Sequence, residues 1–312
     1  CGRLYLLEDE HIRTESTMHR KPIRLQTRES LSLALSAPAV IWFTGFMILP
    51  LMSMFYLSFT DWGSLVSKQN FVGFAQYQKV LTDPIFWAAF QNTAFQVAVA
   101  VPVMTFAGLM LAYYLNLRPR GVNLLRVLFF TPALMSISAK SMLFLGVFST
   151  DGLLNFGLRS FNLESWTTTW LANEGTALNS IIAIDIWSGI GFTAVLLAVR
   201  LSGIPQEIFE AAEIDGAGHW RKIWNISYPV MKDYFGGLFM LQFLWTASNS
   251  AALVLLLTSG GPGTSTYTLS YLAFSKAFLQ QSVGYSQVAA VSLFLFGVIG
   301  MLVIRRIFRS VV

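Results

Sequence analysis

Cysteine occurs once in 312 residues, as Cys1, and histidine three times, as His11, His19 and His219. A lone cysteine closes no intrachain disulfide, and three scattered histidines form no His-Glu-x-x-His pair on one helix face, so a metal centre is not expected. Charge is scarce as well. Asp, Glu, Lys and Arg make up 12% of the chain, about half the roughly 25% of an ordinary soluble domain. That excludes a water-soluble globule, and a disordered chain would need high charge and low hydrophobicity. No run places two glycines around four residues ahead of Lys and Ser or Thr, so the backbone cradle that holds nucleotide phosphates is missing. Ser259-Gly260-Gly261-Pro262-Gly263 is glycine-rich but has no lysine and reads as a turn capping a helix. No nucleophile with a base partner can be read from the loops.

What is abundant is apolar surface: 54% hydrophobic residues, 14% aromatic, and a mean hydropathy of +0.58. A membrane-crossing helix needs about 20 mostly apolar residues to span roughly 30 Å of hydrocarbon. Six stretches meet that length, at about 33–59, 86–116, 124–148, 178–201, 234–257 and 284–304. Each is far longer than the alternating segments of about 10 residues in a membrane barrel. The fold class expected is an all-α integral membrane protein, a six-helix transmembrane bundle.

Basic residues accumulate on the cytoplasmic side of membrane proteins. Here one side collects Arg3, Arg13, Arg20, Lys21, Arg24 and Arg28 in the N-terminal tail (1–32), Arg118, Arg120 and Arg126 in the second connection, Arg200, Arg221, Lys222 and Lys232 around the fourth, and Arg305, Arg306 and Arg309 at the C-terminus. The other side has Lys68, Lys79, Arg159 and Lys276, and Lys140 falls inside a span. Both termini are expected in the cytoplasm. The net charge of +5 is spread over four segments, which argues against a nucleic-acid surface. The tail lacks the apolar core of a signal peptide. It reads as a fragment or a misassigned start, with Met18 a candidate first residue.

The fourth connection, 202–233, carries the strongest signal. Pro205 suits a first helical turn, Glu207 and Glu210 complement the positive end of the helix dipole, and Gly216 suits a left-handed helix end. A short helix is predicted over Gln206 to Ile214 and a second from about His219 to Ile226, stopped by Pro229. Small residues at the tip beside apolar Ile208, Phe209 and Ile214 describe a docking surface, or else a hairpin lying on the membrane. The run Glu210-Ala211-Ala212, then Asp215-Gly216-Ala217, Ile226 and Pro229, preceded by Ile204-Pro205, resembles the EAA loop of permease subunits of binding-protein-dependent ABC importers. The maltose-type carbohydrate-uptake branch is the nearer likeness. Leu257-Thr258-Ser259-Gly260-Gly261-Pro262, Asp151-Gly152-Leu153-Leu154-Asn155, Phe71-Val72-Gly73 with Tyr77, and Trp187 with Gly191-Phe192 match it too. Trp224 and Tyr228 stand where relatives often have Phe and Leu, which keeps the bulk.

The resemblance covers about 35–308 and implies the type I ABC importer arrangement. In it, Glu210, Ala211, Ala212, Asp215 and Gly216 would form coupling helices seated on an ATPase subunit. It implies no cofactor on this chain, with ATP and Mg held by the partner ATPase. The implied partners are a second permease subunit, an ATPase dimer, an extracytoplasmic solute-binding protein and a sugar or oligosaccharide. A polyol or glycerol phosphate is the alternative cargo, and a self-contained secondary transporter the alternative mechanism. A membrane-embedded enzyme would need a polar catalytic cluster that is not visible.

Inside the spans, polar groups point to an interior pathway or to helix contacts. Gln242, Trp245, Thr246 and Asn249 follow i, i+3, i+4, i+7 spacing and so share one helix face. An indole beside amides and a hydroxyl suits a sugar, and the same groups also serve as interhelical hydrogen-bond glue. Gln96, Ser138 and Ser141 are weaker candidates of the same kind. Lys140 and Asp185 lie at similar depth, which suggests an ion pair; the alternative is that Lys140 snorkels and Asp185 lines a vestibule.

Overall fold

The structure, a computed structural model, describes residues 35–63, 67–117 and 120–308. The basic tail 1–32, Arg118 and Arg309 lie outside them. The chain divides into two compact units, Cys1–Ser53 and Met54–Val312. The first contributes most of helix α1 (Leu35–Leu57), which contains a π-helical turn at Thr44–Ile48 and stacks Trp42 on Phe46 at 4.3 Å.

In the second unit, an antiparallel ribbon of β1 (Thr60–Asp61) and β2 (Asn70–Phe71) precedes α2 (Ala75–Leu81) and α3 (Pro84–Asn116). Asp83 caps α3 by accepting from the Ile85 amide at 2.8 Å, and Pro84 fills the first helical position, where no amide hydrogen is needed. Next come α4 (Val122–Leu134), α5 (Ile137–Val147), α6 (Leu153–Ser160), α7 (Ala177–Leu201), α8 (Gln206–Ile214), α9 (His219–Leu257), α10 (Leu269–Leu279) and α11 (Val283–Phe308). Among the described residues, α1, α3, α7, α9 and α11 are long and apolar enough to cross a membrane, and α4 with α5 makes a sixth if the bent pair counts as one span.

The contact between α3 and α7 is the most extensive in the fold, and small residues let the backbones approach. A Cβ on Gly108 would meet Thr193 at 2.7 Å, and one on Gly191 would stand 1.7 Å from the Phe129 carbonyl oxygen of α4. One end of the bundle is packed by Leu109, Leu197, Leu201, Met231 and Phe235, beside the α7–α9 connection. The opposite end is packed by Phe86, Leu269, Leu272 and Tyr285.

Two expectations change, and one connection takes a form that the sequence left unread. The stretch 124–148 is not one straight helix: α4 and α5 meet at 115°. Pro132 removes one helix hydrogen bond. Met135 is extended, and Ser136 starts a new helix by accepting from the Ala139 amide at 3.2 Å. Pro229 does not end a helix. His219 to Leu257 runs on for 39 residues because a π-helical segment, Ile223–Ser227, widens the turn just ahead of the proline, where an ordinary α-turn would clash with its ring. Finally, the connection after α9 folds inward as α10, with Leu269, Tyr271 and Leu272 buried. Thr268 caps α10, Ser250 bonds the Thr268 and Ser270 hydroxyls, and Asn92 donates to the Thr264 and Tyr267 carbonyls. The glycine-rich run before it is a turn at the end of α9: Ser259 N–H reaches back to Val254 O at 2.8 Å, and Thr258 and Thr266 hydroxyls meet at 2.8 Å.

Candidate functional site: a cavity inside the bundle and a hairpin beneath it

A cavity of about 250 Å³ opens where α5, α7 and α9 meet. Its wall brings together Gln242, Trp245, Thr246 and Asn249 from α9, Lys140 from α5, and Asp185 with Ser188 from α7. At a 1.5 Å rise, Asp185 lies about 12 Å inside the end of its helix. Trp245 and Asn249 are exposed at the rim, the Asn249 amide donating to Trp245 O at 3.4 Å, whereas Gln242 and Thr246 are buried. Gln242 Nε2 donates to Thr193 Oγ1 at 2.6 Å and to Gly189 O at 3.2 Å, so this side chain joins α9 to α7 as well as lining the cavity. Gln242 thus acts as interhelical glue, while Trp245 and Asn249 stand at the cavity rim.

Lys140 and Asp185 face the same cavity but form no ion pair with one another. Lys140 Nζ donates instead to Ser188 Oγ at 3.2 Å. The Asp185 carboxylate accepts from Gln96 Nε2 at 3.3 Å, and the buried Thr246 hydroxyl beside this cavity makes no hydrogen bond. The direct pair expected from depth fails because two neighbouring side chains supply shorter partners. Ser188 was absent from the expected set, although its spacing of three from Asp185 puts it on the same helix face. Of the weaker candidates, Ser141 is buried and bonds its own helix at Ile137 O, and Ser138 is exposed away from the cavity.

At the packed end beside Leu201 lies the hairpin. Gly216 takes a φ of +74°, the Gly216 amide bonds Glu213 O at 2.9 Å and the Ala217 amide bonds Ala212 O at 2.8 Å, which satisfies the last carbonyls of α8. Gln206 donates to Glu210 at 2.7 Å across the first turn. Glu210, Ala211, Asp215 and Gly216 are exposed and Ala212 is half-buried. Phe209 anchors α8 on the core cluster, while Ile208, Ile214 (88% exposed) and Trp220 project outward. Trp220 is the residue that sequence reading passed over; it lies in the first turn of α9 and is exposed.

The hairpin is tied to the long helix. Lys222, buried in the first turn of α9, holds the Glu213 carboxylate of α8 by a short charged hydrogen bond. That hydrogen bond and the Lys222 charge keep the Glu213 carboxyl below the usual carboxylate range. Tyr113 Oη lies 3.3 Å from His219 Nδ1, so the end of α3 also meets this corner. Between these elements is a second cavity of about 720 Å³, lined by Tyr113, Asn116, Glu210, Glu213 and Lys222 among others.

The family described as binding-protein-dependent transport system inner membrane component matches residues 104–312. The chain is 30% identical over 258 residues to the probable ABC transporter permease protein YurN of Bacillus subtilis, covering 81% of this chain and 87% of the relative. It is 31% identical over 256 residues to the trehalose/maltose transport system permease protein MalF of Thermococcus litoralis (81% and 85% covered), and 30% identical over 271 residues to the diacetylchitobiose uptake system permease protein NgcF of Streptomyces coelicolor (83% and 76%). Among solved structures, a bacterial ABC transporter that imports the acidic polysaccharide alginate superposes with a TM-score of 0.78 at 19% identity, over 91% of this chain and 96% of that one. The same alginate transporter is known in complex with a pentasaccharide-bound periplasmic protein.

Proposed function

The chain belongs to the family of inner-membrane components of binding-protein-dependent transport systems, and from that premise we propose that it is the permease subunit of an ABC importer for a sugar or oligosaccharide. Its membrane part is a multi-pass helical bundle of the type I importer kind. Relatives that carry trehalose, maltose and diacetylchitobiose support the cargo class. The observation that carries the mechanism is one continuous helix. α9 begins at the hairpin and carries Gln242, Trp245, Thr246 and Asn249 to the cavity, so displacement of the exposed tip is transmitted along a rigid rod.

In this reading the hairpin faces the cytoplasm, and Glu210, Ala211, Ala212, Asp215 and Gly216 dock on an ATPase dimer that binds ATP and Mg. A second permease subunit completes the pathway, and a solute-binding protein delivers substrate from outside. The chain performs no covalent chemistry on the substrate. The indole of Trp245 packs on the C–H face of a sugar, and Asn249 meets its hydroxyls.

Reconstitution in vesicles tests this. Uptake of labelled oligosaccharide requires ATP, the cognate ATPase and the binding protein, and ignores a protonophore. Trp245→Ala reduces uptake while the binding protein's affinity is unchanged. Uptake that persists without the ATPase, and collapses with the ion gradient, would instead establish a self-contained secondary transporter. For the hairpin, Ala212→Cys in a Cys1→Ser background cross-links to the ATPase subunit; labelling of that position from the extracellular side would refute the orientation.

A further inference from the structure

The segment joining α5 to α7 has a face that neither the cavity nor the hairpin uses. Leu153 and Phe156 of α6 are 71% and 65% exposed, and Phe161 and Trp166 just beyond it are 79% and 69% exposed. The opposite side is firmly seated. Leu154 packs against the cluster of Phe148, Ile181 and Leu257, which places α6 at the bundle end away from the hairpin. Asn155, 1% exposed, donates to the Thr150 and Thr168 carbonyls at 3.0 Å each and accepts from Trp170 Nε1 at 2.8 Å. The outward face is thus apolar because the fold holds it so, not because the segment is loosely attached.

We propose that α6 and the turn after it are an in-plane anchor, with Leu153, Phe156, Phe161 and Trp166 embedded in the boundary between headgroups and acyl chains of the bilayer. Three observations select lipid over a protein partner. The segment follows directly on α5, half of a bent pair apolar enough to span a membrane, whose Met142 and Leu145 are also exposed. The outward set is aromatic and aliphatic, the composition of interfacial belts and of amphipathic helices lying flat in a membrane surface. Charge is sparse: Asp151, Arg159, Glu164 and Glu174 are the only charged residues from Phe148 to Thr176. Arg159 is held by Asp151 at 3.5 Å and by Thr150 O at 3.3 Å, so the segment offers no one-signed field to steer a protein.

The anchor rests on membrane insertion of the bundle, and the leaflet, outer in the orientation proposed above, follows from that orientation; neither the cargo nor the energy source enters. The test places a nitroxide at Phe156→Cys, separately at Phe161→Cys, and at Glu174→Cys as the aqueous reference. All are made in a Cys1→Ser background in the assembled transporter in phospholipid vesicles. Power saturation compares relaxation by oxygen, which partitions into lipid, with relaxation by a water-soluble nickel chelate. At positions 156 and 161 oxygen is expected to win by several-fold, and at 174 nickel. Nickel access at 156 and 161 equal to that at 174 overturns the proposal in favour of a water-exposed patch. Exclusion of both relaxants overturns it in favour of a covering protein. Two labelled sites keep the test valid if one variant does not assemble.

Discussion

The hairpin and the cavity are built by opposite means. In the hairpin, residues within about 20 positions of one another satisfy nearly every bond: the Gly216 turn, the Gln206–Glu210 contact and the Glu213–Lys222 pair are all local. In the cavity, three of the polar contacts run between helices, Gln96 with Asp185, Lys140 with Ser188 and Gln242 with Thr193. A local device keeps its shape while it is moved as a body, which suits the docking role proposed for the hairpin. A shared device changes shape whenever helices shift, which suits the pathway role proposed for the cavity.

The sharpest way to break the contrast is Gly191→Ala, which sets a methyl group 1.7 Å from the Phe129 carbonyl oxygen and forces α4 away from α7. Overpacking of this kind costs about 1–3 kcal/mol and occasionally more. Transport should be lost and the melting temperature in detergent should fall, while cross-linking from Ala212→Cys to the ATPase survives. Loss of both functions together would mean that the two regions are not separable. Next in size is Gln96→Leu, which strips Asp185 of its donor at 3.3 Å and leaves a half-buried acceptor short of a partner, at about 1–3 kcal/mol. Because Lys140 bonds Ser188 and not Asp185, Lys140→Met should be milder in the same melting assay, and combining it with Asp185→Leu should bring little rescue. A large rescue would restore the direct pair.

On the hairpin side, Gly216→Val places a β-branched residue at a φ of +74°, at about 1–2 kcal/mol for the left-handed conformation. ATPase stimulation by substrate-loaded binding protein should weaken, with the cavity intact as judged by Trp245 fluorescence in a variant lacking the other tryptophans. The smallest effect is pH-dependent. Since the folded Glu213 carboxyl titrates below its unfolded value, near 4.3, the pair with Lys222 contributes fully above that pH, and the contribution disappears as pH falls through the lowered folded value. Comparing melting temperatures of the wild-type protein and Glu213→Gln between about pH 3 and 6 should show the two curves converging at the acid end. Curves that stay parallel would show that the ion pair does not fasten the hairpin.

These same differences explain what could be read from the chain. The α8 helix and its glycine end were legible because caps, prolines and left-handed glycines act on neighbours in sequence. The shared face of Gln242, Trp245, Thr246 and Asn249 was legible from helical spacing alone. The π-helical turn that carries α9 past Pro229 was not, since a proline after a helical run normally ends or kinks the helix and the widened turn shows only in the backbone. The break between α4 and α5 was missed because an apolar run reads as one span whatever the direction of its halves. The inward folding of α10 was hidden because Thr93, Asn92 and Ser250, which hold it, are distant in sequence.

By itself, then, the amino-acid order determined that the protein lives in a bilayer, that its helices are apolar and long, and that a polar hairpin stands apart from them. Those properties follow from composition and from rules reaching only a few residues. Which partner each buried polar group takes was decided by tertiary structure alone. Asp185 turns to Gln96 and Lys140 to Ser188 because inside a low-dielectric bundle a polar group bonds the nearest partner that packing delivers, and packing is a property of helix pairs, not of either helix.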